Sequence, residues 1–283
     1  MPSRKKETNN KNKLSKKQVE MKEKILYKHK PEKKKKQAKV SGDSGKMIEK
    51  LPSYKIVNSP AFATVLINIK KGESVFANSN SMSHMDNHIK CKATSKGGIY
   101  AGLKRMFLTT TSMFQTEYTG TETNNNIAFA SFLPGDILPL KIKPGEKYMV
   151  SSNSLICYTS NLDVNGVTRL KGILVGEGIA QTEVSNETNS VGMVWLSSYG
   201  GFNKKTLGKG EEFKLDTGLY LCGETDNNYT IGKVGSLKTA FLSGEGLVMT
   251  FTGPCEIYCQ GRSVGELENF IYRIALRANS SNN

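Results

Sequence analysis

Histidine is scarce in this chain, three residues in 283, and the two beyond the first fifty residues, His84 and His88, share one segment. No Ser-His-Asp or Cys-His constellation can be assembled from so few, and the sequence is read as non-enzymatic. No apolar run approaches the 18 or more residues that would span a bilayer as a helix. The five cysteines include no Cys-x-x-Cys pair and are odd in number, which argues for reduced, mostly buried thiols rather than a disulfide framework. The glycines fit neither G-x-x-x-x-G-K-[ST] nor a G-x-G-x-x-G that opens a helix after a strand, so no phosphate-binding loop is read. No cofactor is assigned.

What the chain has in excess is positive charge, +15 overall, and its distribution is uneven. Residues 1–50 hold 18 Lys or Arg against 6 Asp or Glu, a surplus of +12 that leaves +3 for everything after. That stretch is rich in Lys, Asn, Gln and Ser and poor in aromatics, so it cannot bury enough apolar surface to offset its ordering entropy and is read as a disordered basic tail. Ser15 and Gln18 form a capping-box pattern that marks a short transient helix within it. Lys33, Lys34, Lys35 and Lys36 form a run of like charge able to bind phosphates or an anionic membrane surface, to act as an import signal, or simply to solubilise. The tail lacks the apolar core of a secretory signal, and its Glu-containing, Arg-poor makeup does not suit a transit peptide.

The body repeats itself. A Gly-Glu pair recurs at Gly72-Glu73, Gly145-Glu146 and Gly210-Glu211, each time followed by mixed apolar and polar residues and then by a second block, FLTTTSMFQTEY, ILVGEGIAQTEV or FLSGEGLVMTFT. Aligned on Thr116, Thr182 and Thr250, the blocks lie 66 and 68 residues apart. Apolar residues at spacing two, such as Tyr148 with Val150 and Leu155 with Cys157, mark strands, and the Ser-Ser-Asn-Ser cluster between them reads as a turn. Gly72, Gly145 and Gly210 are read as structural turn positions, because glycine tolerates positive φ. The expectation is about two hairpins per repeat and an all-β, three-repeat, pseudo-threefold domain over residues 51–262, with repeats near 56–131, 132–198 and 199–262.

After Arg262 the period changes to helical. Ser263 and Glu266 form a capping box, and Leu267, Phe270, Ile271 and Ile274 make one apolar stripe, so residues 263–278 are read as a short amphipathic C-terminal helix packed on its own body. His84 and His88, with Asp86 and Cys91 nearby, are weak metal candidates: on a strand the two imidazoles would stand about 13 Å apart at a strand's rise per residue. Glu73, Glu146 and Glu211 read as turn residues rather than acid-base groups, since none has a histidine beside it.

Four phrases carry a family resemblance over residues 56–263. They are GGIYAGLKRMF, FLPGDILPLKIKPGEKYMVSSNSLICYTSNLDV, VWLSSYG at 194–200, and GKVGSLKTAFLSGEGLVMTFTGPCEIYCQGRS at 232–263. Together they resemble the TRAP-like β-fold family of the fungal altered-inheritance-of-mitochondria protein and its uncharacterised bacterial relatives. The resemblance implies a TRAP-like all-β body and no known enzymatic activity, and for the mitochondrial relative an association with the inner membrane. The resulting expectation is an intracellular, soluble scaffold that binds protein partners and is tethered electrostatically by its tail, with homo-oligomerisation open. Cytoplasm is the first placement; mitochondrial, nuclear and virion-associated ones remain alternatives. Two other readings stand beside it: a protein that binds nucleic acid through residues 1–50, and a small-ligand-binding protein.

Overall fold

The computed structural model describes residues 51–94, 115–169, 180–233 and 247–280. The tail, with its transient helix and Lys33–Lys36, lies outside them, as do most of GGIYAGLKRMF and parts of the three second blocks. The chain runs through β1 (Ser53–Val57), β2 (Thr64–Ile69), β3 (Ser74–Asn78), β4 (Met82–Met85), β5 (Lys90–Thr94), β6 (Gln115–Thr119) and β7 (Asn125–Ala130). There follow β8 (Gly135–Ile142), β9 (Lys147–Ser151), β10 (Leu155–Thr159), β11 (Asp163–Arg169), β12 (Ala180–Ser185) and β13 (Gly192–Tyr199). The last strands are β14 (Phe202–Leu207), β15 (Glu212–Asp216), β16 (Tyr220–Glu224), β17 (Asn228–Lys233), β18 (Leu247–Thr252) and β19 (Cys255–Gln260), before the helix α1 (Val264–Ser280).

These strands form four antiparallel sheets, so the all-β reading holds. Their orders are β1-β2-β7-β4, β5-β6-β3-β10-β13-β8, β11-β12-β9-β16-β19-β14 and β15-β18-β17. The side-chain pattern decides which faces are buried. In β2, Val65, Ile67 and Ile69 are buried while Thr64, Leu66 and Asn68 are partly exposed, the period-two signature of a strand with one face on a core. In β10 all five residues are buried, and in β13 seven of eight, as expected for strands covered on both faces.

Three apolar cores lie between successive sheets. The first joins Val65, Ile67 and Phe129 to Val75, Met193 and Trp195. The second joins Phe76, Ile142 and Tyr158 to Val150, Val184 and Leu221. The third joins Leu207, Tyr220 and Ile257 to Leu215, Met249 and Phe251. Aromatic pairs tighten each of them: Tyr118 meets Phe129 edge-on at 5.4 Å, Phe76 stacks on Tyr158 at 5.6 Å, and Tyr220 stacks on Phe251 at 5.9 Å. Such pairs contribute about 1 kcal/mol beyond the area they bury.

The pairing departs from the hairpins read in the sequence. Ser152–Ser154 form a 3-10 turn, and β9 and β10 on either side of it do not pair. Instead the turn passes the chain from the third sheet to the second: β9 pairs with β12 and β16, and β10 with β3 and β13. The joints β3–β10 and β9–β16 share one geometry, with Ala77 opposite Cys157 and Val150 opposite Cys222. Each strand beyond the 3-10 or tight turn also shifts register once, between Met82 and His84, Leu155 and Cys157, and Tyr220 and Cys222. One alignment in the sequence slips by a residue. Thr116 stands opposite Ala77 and Thr182 opposite Val150, but the residue opposite Leu215 is Met249, and Thr250 faces Lys214.

The helix begins where the spacing placed it. The Glu266 N–H donates to Ser263 Oγ at 3.4 Å, the N-cap bond that satisfies one free amide of the first turn. The apolar stripe, expected on the body, faces solvent instead: Phe270 is 61% exposed, Ile271 56% and Ile274 50%. Among the described residues, the three apolar cores are built from strand side chains and the segments joining them, and none takes in a residue of the helix.

Candidate functional site

The Gly-Glu positions form three turns of one geometry. Gly72, Gly145 and Gly210 sit at φ +80°, +81° and +77°, and their N–H groups donate to Gly120, Asn186 and Gly253 carbonyls at 2.8, 2.8 and 3.1 Å. The carboxylates of Glu73, Glu146 and Glu211 accept from the backbone N–H three residues earlier, at Lys70, Lys143 and Gly208, at 3.0, 2.8 and 3.0 Å. That bond, helped by Lys205, holds the Glu211 carboxyl below the ordinary range. Carboxylates engaged in this way close turns; they are not presented to a substrate.

His84 and His88 are not brought into a metal centre. His84 lies on the exposed strand β4 with Nδ1 3.4 Å from Ser83 Oγ, and His88 Nε2 is 4.0 Å from Asp86 Oδ2. Asp86 is already engaged, accepting from the Asn126 N–H at 2.7 Å and the Asn126 amide at 3.2 Å. Cys91 Sγ sits 3.6 Å from Met85 Sδ. Among the described residues no group of three His, Cys, Asp or Glu side chains is placed to hold a metal ion.

Titratable groups converge elsewhere, where β9, β16, β19 and β14 run side by side in the third sheet. Cross-strand register sets Glu224 opposite Tyr148, Tyr258 opposite Cys222, and Lys204 opposite Tyr258. Lys204 Nζ lies 2.7 Å from Glu256 Oε2 and 5.9 Å from the centre of the Tyr258 ring. The Tyr258 hydroxyl donates to Glu256 Oε1 at 3.3 Å. Burial, then Asp226, Glu146 and Glu256, push the Glu224 carboxyl above its usual range. Burial also raises Tyr148, with Glu224 and Glu146 adding to it, and raises Tyr258 and Cys222. Every tyrosine and cysteine shift here is upward, which keeps these groups protonated and suppresses nucleophilicity.

The patch holds two half-buried tyrosines, Tyr148 and Tyr258, whose rings pack against the second core, with Glu146, Glu224, Asp226 and Glu256 around them and Lys143 and Lys204 paired to Glu146 and Glu256. Sequence reasoning missed this patch. Its residues come from four strands and the turns beside β9 and β16, spread over more than a hundred positions, and only the β9–β16 joint brings Tyr148 to Glu224.

With this geometry established, likeness to known proteins adds the following. The sequence model of the family described as mitochondrial biogenesis AIM24 matches residues 54–262. An uncharacterised protein of Streptococcus pyogenes serotype M6 is 23% identical over 238 residues, 81% of this chain and 93% of that protein. A crystal structure of a Streptococcus pyogenes protein superposes with a TM-score of 0.64 at 22% identity, over 79% of this chain and 100% of that one, a likeness of fold.

Proposed function

Because the chain belongs to the AIM24 family, with residues 54–262 matching it, we propose that it is a non-enzymatic intracellular scaffold whose β body holds protein partners. The observation that carries this reading is the Tyr148–Tyr258 patch, where Glu224 and Asp226 stand beside two carboxylates already paired with lysine, Glu146 with Lys143 and Glu256 with Lys204. A partner segment carrying Arg or Lys beside an apolar anchor fits it, the cation meeting Glu224 and Glu256 and the anchor meeting the rings. The body is proposed to be three repeats of one unit, a reading supported by the three glycine turns and the three register shifts. Residues 1–50, through Lys33–Lys36, serve as the electrostatic tether.

The test places a photo-crosslinking residue at Tyr258 of the full chain and, as a control, at the exposed Lys71. The expected result is a discrete protein adduct from position 258 alone, lost when Glu224 and Glu256 are changed to Lys. Adducts to nucleic acid, or none at either position, overturn the scaffold reading. No helix among the described residues is long and apolar enough to cross a membrane.

A further inference from the structure

We propose that α1 is a self-association helix that pairs antiparallel with α1 of a second copy of this chain. Val264, Leu267, Ile271, Ile274 and Ala278 follow each other at spacings of three, four, three and four, the seam of a two-stranded coiled coil. The seam is anchored at its base, where Val264 and Leu267 are half-buried and Ser263 caps the first turn. Beyond Leu267 it stands in solvent, and Phe270 beside it is exposed as well. The helix is therefore held ready by the body while its apolar stripe remains uncovered. Burying such side chains against a second apolar seam is favourable, because it removes apolar surface from water.

The occupant and its direction follow from charge. Glu266 and Glu268 lie in the N-terminal half of the helix, and Arg273 and Arg277 in the C-terminal half. Two parallel copies would set acid beside acid and base beside base. Two antiparallel copies set each acidic half against a basic one and oppose the helix dipoles. In an antiparallel pair centred between Tyr272 and Arg273, Ile271 meets Ile274 of the second copy, and Leu267 meets the second copy's Ala278. Large side chains then face small ones at both ends of the seam. The two Glu and two Arg cancel, so the helix offers no net charge to an anionic lipid surface, and a second protein copy is the better fit.

The body's other partners do not enter, so self-association can fail while the scaffold role stands, and the reverse. Sedimentation of the full chain over a concentration series is expected to show a reversible monomer–dimer equilibrium. Changing Ile271→Ser and Ile274→Ser together should raise the dissociation constant at least tenfold with unchanged strand signal, because both side chains are exposed in the monomer. Reversing the acids (Glu266→Arg, Glu268→Arg) or the bases (Arg273→Glu, Arg277→Glu) should each weaken the dimer, and mixing the two variants should restore it. Added salt should weaken an attractive antiparallel pair. Three results overturn the proposal: a chain monomeric throughout the series, a dimer indifferent to the isoleucine changes, or a dimer strengthened by salt. A monomer that instead pellets with phosphatidylcholine vesicles through the same isoleucines overturns it too.

Discussion

The Tyr158 hydroxyl donates to the Gln115 side-chain oxygen across the joint where β3 meets β10. At the matching joint of β9 with β16, Gly223 stands opposite Met149 as Tyr158 stands opposite Phe76. Gln181, paired with Ser151 as Gln115 is with Asn78, is buried there with no hydrogen-bond partner for either amide atom. One glutamine is satisfied and its counterpart is not.

The two glutamine sites should respond with opposite signs. Tyr158→Phe strands the Gln115 oxygen in the interior and should cost about 1–2 kcal/mol, whereas Gln181→Leu removes an unsatisfied amide and should stabilise by about 1 kcal/mol. Urea unfolding of both variants at one pH decides it.

Glycine positions separate backbone strain from close approach. Gly145→Ala meets nothing within 4 Å, so its cost is that of holding alanine at φ +81°, about 1 kcal/mol. Gly201→Ala, also with open space and without a positive φ, should be near neutral. At Gly135 an added Cβ would fall 1.8 Å from the Ser198 carbonyl oxygen, and alanine there should cost about 3 kcal/mol or more. Thermal melts should place Gly201→Ala highest, Gly145→Ala next and Gly135→Ala lowest.

The Glu224 carboxyl gives a pH dependence of known sign. Its proton affinity is raised in the fold, so its contribution is complete below the unfolded carboxyl value of about 4.3 and is lost as pH rises through the folded value. Glu224→Gln should therefore melt higher than the parent at pH 7 and match it at pH 4. The group is largely exposed, so the gain should be a few tenths of a kcal/mol. Scanning calorimetry at the two pH values measures it.

Thiol reactivity should follow burial. Cys91 is exposed, Cys255 and Cys259 are partly covered, and Cys157 and Cys222 are buried. Burial also pushes the Cys259 thiol up to about 11. Alkylation of the native chain, mapped by mass spectrometry, should label Cys91 first and leave Cys157 and Cys222 unlabelled until unfolding.

Local patterns in the sequence were sufficient for strands, turns and the family. Val65, Ile67 and Ile69 announce β2 by their spacing, and the four phrases point to the family that matches residues 54–262. Pairing was not legible, because β9 and β10 look like the arms of a hairpin when only neighbouring residues are read. Their true partners lie in other segments, and no local pattern states which strand arrives there. The slip at Thr250 has the same origin, since only register places Met249 opposite Leu215. For the candidate site, the turn glycines and their glutamates were visible and the tyrosine patch was not. The cap and stripe of α1 were legible too, but an apolar stripe does not reveal what covers it.

The interlocked joints set an order of events on the ribosome. The free side of β9 is completed by β16, so Val150 waits for Cys222 to emerge before its strand is enclosed. Until then the nascent chain carries an open, apolar-flanked strand edge, the kind of surface that recruits holding chaperones. A stall or premature stop between those two residues releases a fragment with that edge still bare, and such fragments should be cleared rather than accumulate.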